Sequence, residues 1–395
     1  MTASEITLRL AASAADIGVA AWNACANPEA ARDPHPFNRF EFFHAVEESG
    51  SATARTGWHP SHLVLEGANG IDGILPMYLK SHSQGEYVFD QAWADALERA
   101  GGDYYPKLQA SVPFTPVTGR RFLIRKGFDR AATGKMLLAG GAAAVREVGA
   151  SSLHITFLAK EEWDAAGAAG LLQRTDQQFH WHNEGYASFE EFLGALSSSK
   201  RKNLRKERAS VQEAGVTFDW LSGSSLRETH WDTFFKFYMD TGGRKWGRPY
   251  LTRKFFSLIS GSMAEQIVLI LAKRDGRYIA GALNFSGSET LYGRNWGATE
   301  FVPFLHFETC YYQAIEYAIA HKLKTVEAGA QGAHKLLRGY LPTPTYSAHY
   351  IAHQGLRRAV ADYLSRERVA VAEHIEELAE RAPFRKTQRK TADGI

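Results

Sequence analysis

The segment EAGAQGAHK, residues 327–335, combines a carboxylate, an amide and a lysine with small residues directly after a predicted strand. Period-two alternation places Glu327, Gly329 and Gln331 on one face, and small residues allow a ligand close to the backbone. A buried carboxylate without a partner is costly, which favours a functional role over an ordinary strand-to-loop transition. We predict that Glu327 is a general base that deprotonates an acceptor ammonium. The donor contacts predicted in this region are Gln331, Lys335 and Arg338, the last two for a carboxylate or phosphate.

A second candidate site is the run KRKNLRKER, residues 200–208, which has six basic residues in nine. In a helix, Arg201, Arg205 and Arg208 fall on one face, and only Glu207 offers local compensation. Such a strip attracts the phosphates of a coenzyme, a nucleotide-sugar or an RNA, although most charge runs are solvated helix faces. The residues predicted to contact phosphate are Arg201, Arg205 and Lys206.

His306, Glu308 and Cys310 cluster at the start of a helix predicted over residues 307–321. Glu308 is the second candidate base, although the helix dipole alone favours an acidic residue there. Cys310 follows His306 by four residues, so a Cys–His nucleophile pair is conceivable, but a small core thiol is the simpler interpretation. No metal-ligand spacing is present, and we predict no metal site.

The first half of the chain carries a dense set of polar and aromatic residues between residues 80 and 107. Two-domain enzymes often bind substrates between their domains, and this set predicts the acceptor pocket; a sheet edge with its turn is the alternative. The predicted acceptor-binding residues are Lys80, His82, Glu86, Tyr87, Tyr104, Tyr105 and Lys107. By contrast, His180 and His182 share a predicted strand face and are interpreted as structural.

Composition narrows the protein class. The chain has 395 residues, which predicts two domains, and its Lys+Arg count of 46 against an Asp+Glu count of 43 is too balanced for a wholly nucleic-acid-binding surface. Two cysteines exclude a disulfide framework and fit a reducing compartment. With no signal-peptide pattern and no apolar run of about 18 residues, we predict a cytoplasmic protein without membrane insertion.

The order of predicted elements is the same in both halves: a strand, two helices, paired strands, a helix, a strand, a helix and a strand. The Asp275-Gly276 dipeptide is a strong hairpin signal within the second half. This order predicts an α/β (α+β) fold of mixed sheets flanked by helices. The predicted domains are residues 1–178 and 179–395, the second with a basic helix over 199–214 and a C-terminal helix over 357–381.

Six stretches carry a resemblance to a known family: residues 75–90, 104–121, 200–208, 280–298, 307–319 and 327–351. The last, EAGAQGAHKLLRGYLPTPTYSAHYI, is the longest. Together they resemble the FemAB-like, or peptidoglycan biosynthesis/recognition, family of tandem GNAT-type N-acyltransferases.

The resemblance implies two tandem GNAT-like domains and transfer of an acyl group to an amine through a tetrahedral intermediate. In GNAT enzymes an acyl thioester lies between two splayed strands, and the coenzyme pyrophosphate is bound by a Q/R-x-x-G-x-G/A motif. Arg294 and Gly297 match that motif, whereas Thr299 stands where Gly or Ala is expected. The resemblance therefore implies that Arg294, Asn295 and Gly297 lie where a donor would bind.

We predict direct transfer, without a covalent enzyme intermediate, from acyl-CoA as co-substrate to a small-molecule or peptide amine. The first half would supply mainly the acceptor pocket and the second half the donor groove. An alternative donor is aminoacyl-tRNA, with a cell-wall precursor or peptide as acceptor; the basic run and the Thr299 mismatch favour it, and the small net charge of +3 counts against it. A second alternative is a GNAT pair that only binds a ligand. The sequence leaves the oligomeric state open.

Overall fold

The computed structural model describes residues 6–27, 35–246, 249–329 and 332–385. The strands are β1 (Thr7–Ala11), β2 (Trp58–Pro60), β3 (His62–Gly67), β4 (Gly70–Leu75), β5 (Tyr78–Lys80), β6 (Lys107–Ala110), β7 (Leu123–Ile124), β8 (Ser152–Leu158), β9 (Leu172–His182), β10 (Thr217–Leu221), β11 (Ile267–Arg274), β12 (Arg277–Ser286), β13 (Thr290–Ala298), β14 (Thr325–Glu327) and β15 (Leu341–Ile351).

The helices flank these strands. They are α1 (Ala14–Ile17), α2 (Val19–Ala26), α3 (Phe40–Glu48), α4 (Gln91–Arg99), α5 (Arg130–Glu147), α6 (Lys160–Ala168), α7 (Phe189–Ala195), α8 (Ser198–Glu213), α9 (Glu228–Trp246), α10 (Arg253–Met263), α11 (Leu305–Phe307), α12 (Gln313–Ala320) and α13 (Gln354–Glu380). A π-helical turn, Glu308–Tyr312, joins α11 to α12. Short 3₁₀ turns cover Pro36–Asn38, Ala54–Thr56, Gly223–Ser225, Ala264–Gln266 and Ala333–Arg338.

Most of the strands form one large mixed sheet. Its order is β10-β11-β12-β13-β14-β9-β15-β8-β6-β5-β2, and a smaller sheet has the order β1-β3-β4-β7. The hairpin predicted at Asp275-Gly276 joins β11 to β12, and both turn residues have positive φ (50° and 74°), as its tight turn requires. Helices therefore pack on mixed sheets, in the arrangement that the order of elements predicts.

The two halves of the chain exchange strands. The last strand, β15, lies between β8 of the first half and β9, while β9 pairs with β14 of the second half. The predicted boundary between residues 178 and 179 falls inside β9, within its continuous ladder with β15. The division into domains at that point stays a prediction.

The large sheet contains two pairs of adjacent parallel strands, one in each half. In the second half, β13 and β14 pair only over residues 290–292 and 325–327, and β13 then continues six residues beyond the last pair. In the first half, β6 and β8 pair over residues 108–110 and 153–155. Each pair thus separates toward the carboxyl ends of its strands.

The gap of the first-half pair is occupied by the chain itself. After Ala110 the backbone leaves β8 and rejoins it only at a bridge between Gly119 and Leu158. Side chains from elsewhere in the chain donate hydrogen bonds to backbone carbonyls of this segment, residues 111–118: Tyr87 donates to Phe114 O, and Gln178 donates to Pro116 O. The strand pair that stays open is therefore β13 and β14 of the second half.

Helix α9 packs directly on β13, and this contact explains why residue 297 is a glycine. A Cβ atom at Gly297 would lie 2.1 Å from the carbonyl oxygen of Phe237. We expect Gly297→Ala to lower the free energy of unfolding by about 1–3 kcal/mol, because α9 must shift. Gly261→Ala in α10, where nothing lies within 4 Å, should raise it by about 0.5–1 kcal/mol. Chemical denaturation checks both, and equal effects would contradict this account.

Candidate active site

Arg294 is positioned by a β-bulge. In the β12–β13 ladder, Leu283 pairs with Asn295 and Asn284 pairs with Gly293, so Arg294 is the extra residue. A bulge turns one side chain away from the regular alternation of the strand. The Arg294 guanidinium consequently lies over the rings of Phe37 and Tyr292, with ring-centroid distances of 4.9 and 5.3 Å.

Glu327 meets this guanidinium at the last residue of β14. An Arg294 terminal nitrogen donates to Glu327 Oε2 at 3.1 Å, and the two side chains are only 4% and 8% exposed. Within the described parts of the chain, Arg294 Nε is buried without a hydrogen-bond partner and Glu327 Oε1 accepts no hydrogen bond. One carboxylate oxygen is thus anchored, and the other is left to accept a proton.

His180 lies beside this second oxygen. Its Nε2 is 4.0 Å from Glu327 Oε1 and 3.1 Å from Gln178 Oε1. Burial lowers the pKa of His180, despite the nearby Glu327 carboxylate, so the ring is neutral at pH 7. Because the Gln178 amide nitrogen donates to Pro116 O, its oxygen faces His180, and the inferred tautomer carries the proton on Nε2.

Lys335 completes the polar centre. Its side chain is buried, and its Nζ donates to the carbonyl of Gly329, two residues beyond Glu327, at 2.9 Å. The pKa of Lys335 is lowered to about 7, mainly by burial, which Cys310 partly offsets and the Arg294 cation reinforces. A lysine with such a pKa exchanges protons readily near neutral pH.

Among the described residues, no contact joins Glu308 or Arg338 to this centre. Glu308 lies in the π-helical turn and accepts hydrogen bonds from Arg208 at 2.9 and 3.1 Å and from Gln313 at 2.8 Å. Burial raises the pKa of Glu308. Arg338 donates to both oxygens of Glu207 at 2.8 and 2.9 Å. Both predicted site residues therefore have internal ion-pair partners, which join α8 to the rest of the second half.

The outer face of α8 stays available to ligands. Lys202, Arg205 and Lys206 are exposed and Arg201 is half-buried. Arg205 pairs with exposed Glu190 at 2.5 Å. The basic run is thus divided between ion pairs that attach the helix and cations that face solvent.

The remaining predicted donor residues lie on or near β13. Gly297 faces the backbone of α9, and Asn295 is half-buried and makes no side-chain hydrogen bond with the described residues. Both belong to the strand itself rather than to the turn before α11. Gln331 lies outside the described residues.

Most of the predicted acceptor residues converge, but in the interior of the first half. Lys107 Nζ donates to Ser83 Oγ and to Glu86 Oε2, each at 2.8 Å, and also to Asp90. Lys80 is fully buried, with its Nζ 3.7 Å from the ring centroid of Trp58. These cations are therefore already paired within the protein.

Tyr104 and Tyr105 join the same network, whereas two other predicted residues lie apart. Tyr104 donates to Asp90 at 2.7 Å, and the Tyr105 hydroxyl is 2.9 Å from Ser83 Oγ. His82 packs against Gly57, where a Cβ would be 2.2 Å from its ring. Tyr87 lines a cavity of about 270 Å³ between the halves, whose other lining residues include Gln178, Phe179, Gly332 and Thr345.

Sequence reasoning missed the contribution of Gln178 and His180 to the site. The signal was the alternation in QQFHWH, which puts both residues on one face of β9. The sequence did not show that Glu327 is the neighbour of His180, because only the pairing of β14 with β9 places the two residues opposite each other.

A parallel strand pair that separates beside a buried carboxylate, within a duplicated mixed α/β architecture, defines a tandem GNAT-type fold. The chain belongs to the FemAB-like family, described as peptidoglycan biosynthesis/recognition, which matches residues 13–386. The family membership confirms the resemblance found in the sequence, and with it the class of GNAT-fold transferase.

Two solved structures with TM-scores of at least 0.50 agree with the fold, and a third has a lower score. The crystal structure of FemX has a TM-score of 0.51 and 13% identity, covering 80% of this chain and 93% of that chain. L-PGS from Bacillus licheniformis has a TM-score of 0.50 and 9% identity, covering 84% and 98%. A tandem GNAT protein from the clavulanic acid biosynthesis pathway has a TM-score of 0.47 and 12% identity, covering 88% and 99%. At these identities the likeness concerns the fold alone.

No curated protein matches the sequence. Across the described residues, no helix combines the length and apolar character needed to cross a bilayer.

Proposed function

We propose that this protein transfers an aminoacyl group from aminoacyl-tRNA to a free amine of a peptidoglycan precursor or related peptide. The observation that carries the proposal is the Glu327–Arg294 pair at the point where β13 and β14 separate, with Glu327 Oε1 left without a hydrogen bond from the described residues. The family description, peptidoglycan biosynthesis/recognition, supports the class of acceptor.

The reaction needs a general base and a general acid, and it proceeds without a covalent enzyme intermediate. Glu327 Oε1 takes a proton from the acceptor ammonium, whose nitrogen then attacks the donor carbonyl to form the new C–N bond. The Lys335 ammonium stabilises the developing oxyanion and supplies a proton to the departing oxygen as the C–O ester bond breaks. The Lys335 amine left by that transfer then takes the second proton, which the nitrogen loses as the amide forms. Arg294 keeps the carboxylate oriented, and neutral His180 borders it without competing for the acceptor's proton.

Two observations favour aminoacyl-tRNA over acyl-CoA as the donor. The exposed face of α8 presents Lys202, Arg205 and Lys206 to solvent, as binding to a nucleic-acid backbone requires. Close packing of α9 on Gly297 occupies the backbone surface that a coenzyme would approach.

The acceptor fits a separate cavity of about 270 Å³. Tyr87, Gln178 and Gly332 line the cavity between the halves, and Gln178 is hydrogen-bonded to the histidine beside Glu327. This cavity is therefore the proposed acceptor pocket, and of the residues predicted from the sequence it retains Tyr87.

The donor is tested by binding and transfer assays with charged tRNA and with acyl-CoA at two salt concentrations. A Lys202→Glu/Lys206→Glu variant should bind tRNA more weakly, and its salt dependence should fall by about one unit of slope for each phosphate that α8 no longer neutralises. The matched control is Lys126→Glu/Lys236→Glu, which changes the same charge at exposed positions outside α8. If the protein turns over acyl-CoA and the α8 substitutions leave that turnover unchanged, acyl-CoA is the donor and tRNA is not. If neither donor is turned over, the protein is better described as a ligand-binding protein.

A further inference from the structure

A cleft of about 520 Å³ opens between the end of β13 and the start of α11. Its size is in the range of small-molecule sites. Its walls are mainly aromatic and aliphatic. The lining residues are Thr241, Trp296, Ala298, Thr299, Glu300, Phe301, Val302, Phe304, Leu305, His306 and Phe307.

The aromatic side chains of the cleft are unusually exposed for their type. Phe301 is 90% exposed, and Phe304 is 39% exposed. Phe304 also adopts a left-handed backbone conformation with φ of 63°, which is strained for a bulky residue. Strain of this kind persists where the surrounding structure enforces it, and it concentrates at ligand sites. Neither feature is accounted for by the packing of the core.

The polar groups of the cleft suit the edge of an uncharged ring. Thr241 accepts a hydrogen bond from the Ala298 amide at 3.1 Å and keeps its own hydroxyl proton for a ligand. Glu300 is held by Arg274 and, at 3.7 Å, by Arg277, so its charge is compensated from outside the cleft. Aromatic faces with an acceptor and a donor at the rim fit a nucleobase.

The cleft lies next to the basic helix. Val211, in the last turns of α8, belongs to the same apolar cluster as Val302 and Leu305. Lys206 is five residues earlier, about 8 Å along the helix axis and about 140° around it at 3.6 residues per turn. A polynucleotide that passes around α8 can therefore place phosphates on its outer face and a base in the cleft. This combination of a basic track with stacking rings is the general pattern of single-stranded nucleic acid sites.

We infer that the cleft binds the adenine of the donor by stacking against Phe301 and its aromatic neighbours. The inference rests on the proposed function only in that the protein must use a group donor. It does not depend on which donor, because the 3′ end of a tRNA and coenzyme A both carry adenosine. Trp296 lies two residues beyond Arg294 on β13, and so a nucleoside in the cleft is close to the point where the strands separate. The cleft would thereby set the position of the reacting ester.

Binding measurements with the full-length protein test the inference. The probes are a short single-stranded RNA ending in adenosine, the same RNA with an abasic 3′ end, and free coenzyme A. Phe301→Ala should weaken binding of the adenosine-bearing probe by about tenfold, while Phe301→Trp should retain it, because stacking needs only an aromatic face. Phe301 is almost fully exposed, so its truncation leaves the core intact. Phe128→Ala, another exposed phenylalanine on the first half, is the matched control.

The outcomes separate this inference from the choice of donor. If Phe301→Ala loses RNA binding, and the wild-type protein binds the abasic RNA as weakly, the cleft is an adenine site and tRNA is the donor. Loss of coenzyme A binding supports the cleft and replaces the proposed donor. If the wild-type protein binds RNA and Phe301→Ala binds it equally well, the cleft is excluded and tRNA remains the proposed donor. If the wild-type protein binds neither probe, the adenine site is excluded as well.

Discussion

Glu327→Gln is expected to lower the turnover number by about 10²–10⁴-fold while leaving the fold intact. Glutamine has the same shape, and its amide oxygen still accepts the Arg294 hydrogen bond, but it cannot take a proton from the acceptor ammonium. Steady-state transfer assays measure the loss, and circular dichroism with thermal unfolding verifies the fold. The loss should appear in turnover rather than in acceptor affinity.

Glu308→Gln is the matched control for this variant. Glu308 is also a buried glutamate bonded to an arginine, but Arg208 and Gln313 occupy its oxygens. We expect that change to lower the melting temperature and leave the turnover number within a few-fold of the wild type. If Glu308→Gln abolishes transfer and Glu327→Gln does not, the two glutamates have exchanged roles and the proposed base is wrong.

Lys335→Met is expected to reduce turnover by about 10²–10³-fold, the usual loss when a donor to a developing oxyanion is removed. Burial lowers the pKa of Lys335 to about 7, so its cationic form disappears as pH rises above that value. The wild-type rate should therefore fall on the alkaline side of about pH 7. Lys335→Arg, which stays charged, should move this alkaline limb to higher pH even if its maximum rate is reduced.

The Lys335→Met substitution should also stabilise the protein. In the folded state Lys335 has a pKa of about 7 against an ordinary value of 10.5, so the unfolded chain binds more protons between those two pH values. Stability from this group is lowest below pH 7 and rises between about pH 7 and 10.5. Lys335→Met removes that slope and should unfold at a higher temperature at pH 7. A destabilised variant whose pH–rate profile is unchanged would show that Lys335 is structural.

Buried lysines illustrate why residue type alone does not locate a site. Lys107 is surrounded by Ser83, Glu86 and Asp90, and the two carboxylates raise its pKa against the effect of burial. Lys335 donates to a backbone carbonyl instead, and its pKa falls. In the sequence both lysines are candidates for the same reason, namely polar neighbours along the chain. Which one keeps reactive capacity depends on partners that come from other elements.

Local sequence determined the elements and the class of protein. Helical periodicity predicted the helices over residues 199–214 and 357–381 to within about three residues of α8 and α13, because side-chain burial repeats with the geometry of the helix. Asp275-Gly276 specified its hairpin because those residues tolerate positive φ. The order of elements and the segment from residue 327 to residue 351 sufficed for the family, and Glu327 stood out because a carboxylate beside small residues at a strand end is costly without a purpose.

Tertiary structure decided what surrounds Glu327. A bulge interrupts period-two alternation, so the direction of Arg294 could not be inferred from its place in the strand. His180 faces Glu327 only because β9 pairs with β14, which lies far away along the chain, and such long-range pairing leaves no local signal. The acidic partners of Lys107 and the burial of Lys335 arise in the same way. Charge and pKa at a site depend on neighbours brought together by folding, whereas the sequence specifies only the groups that are available.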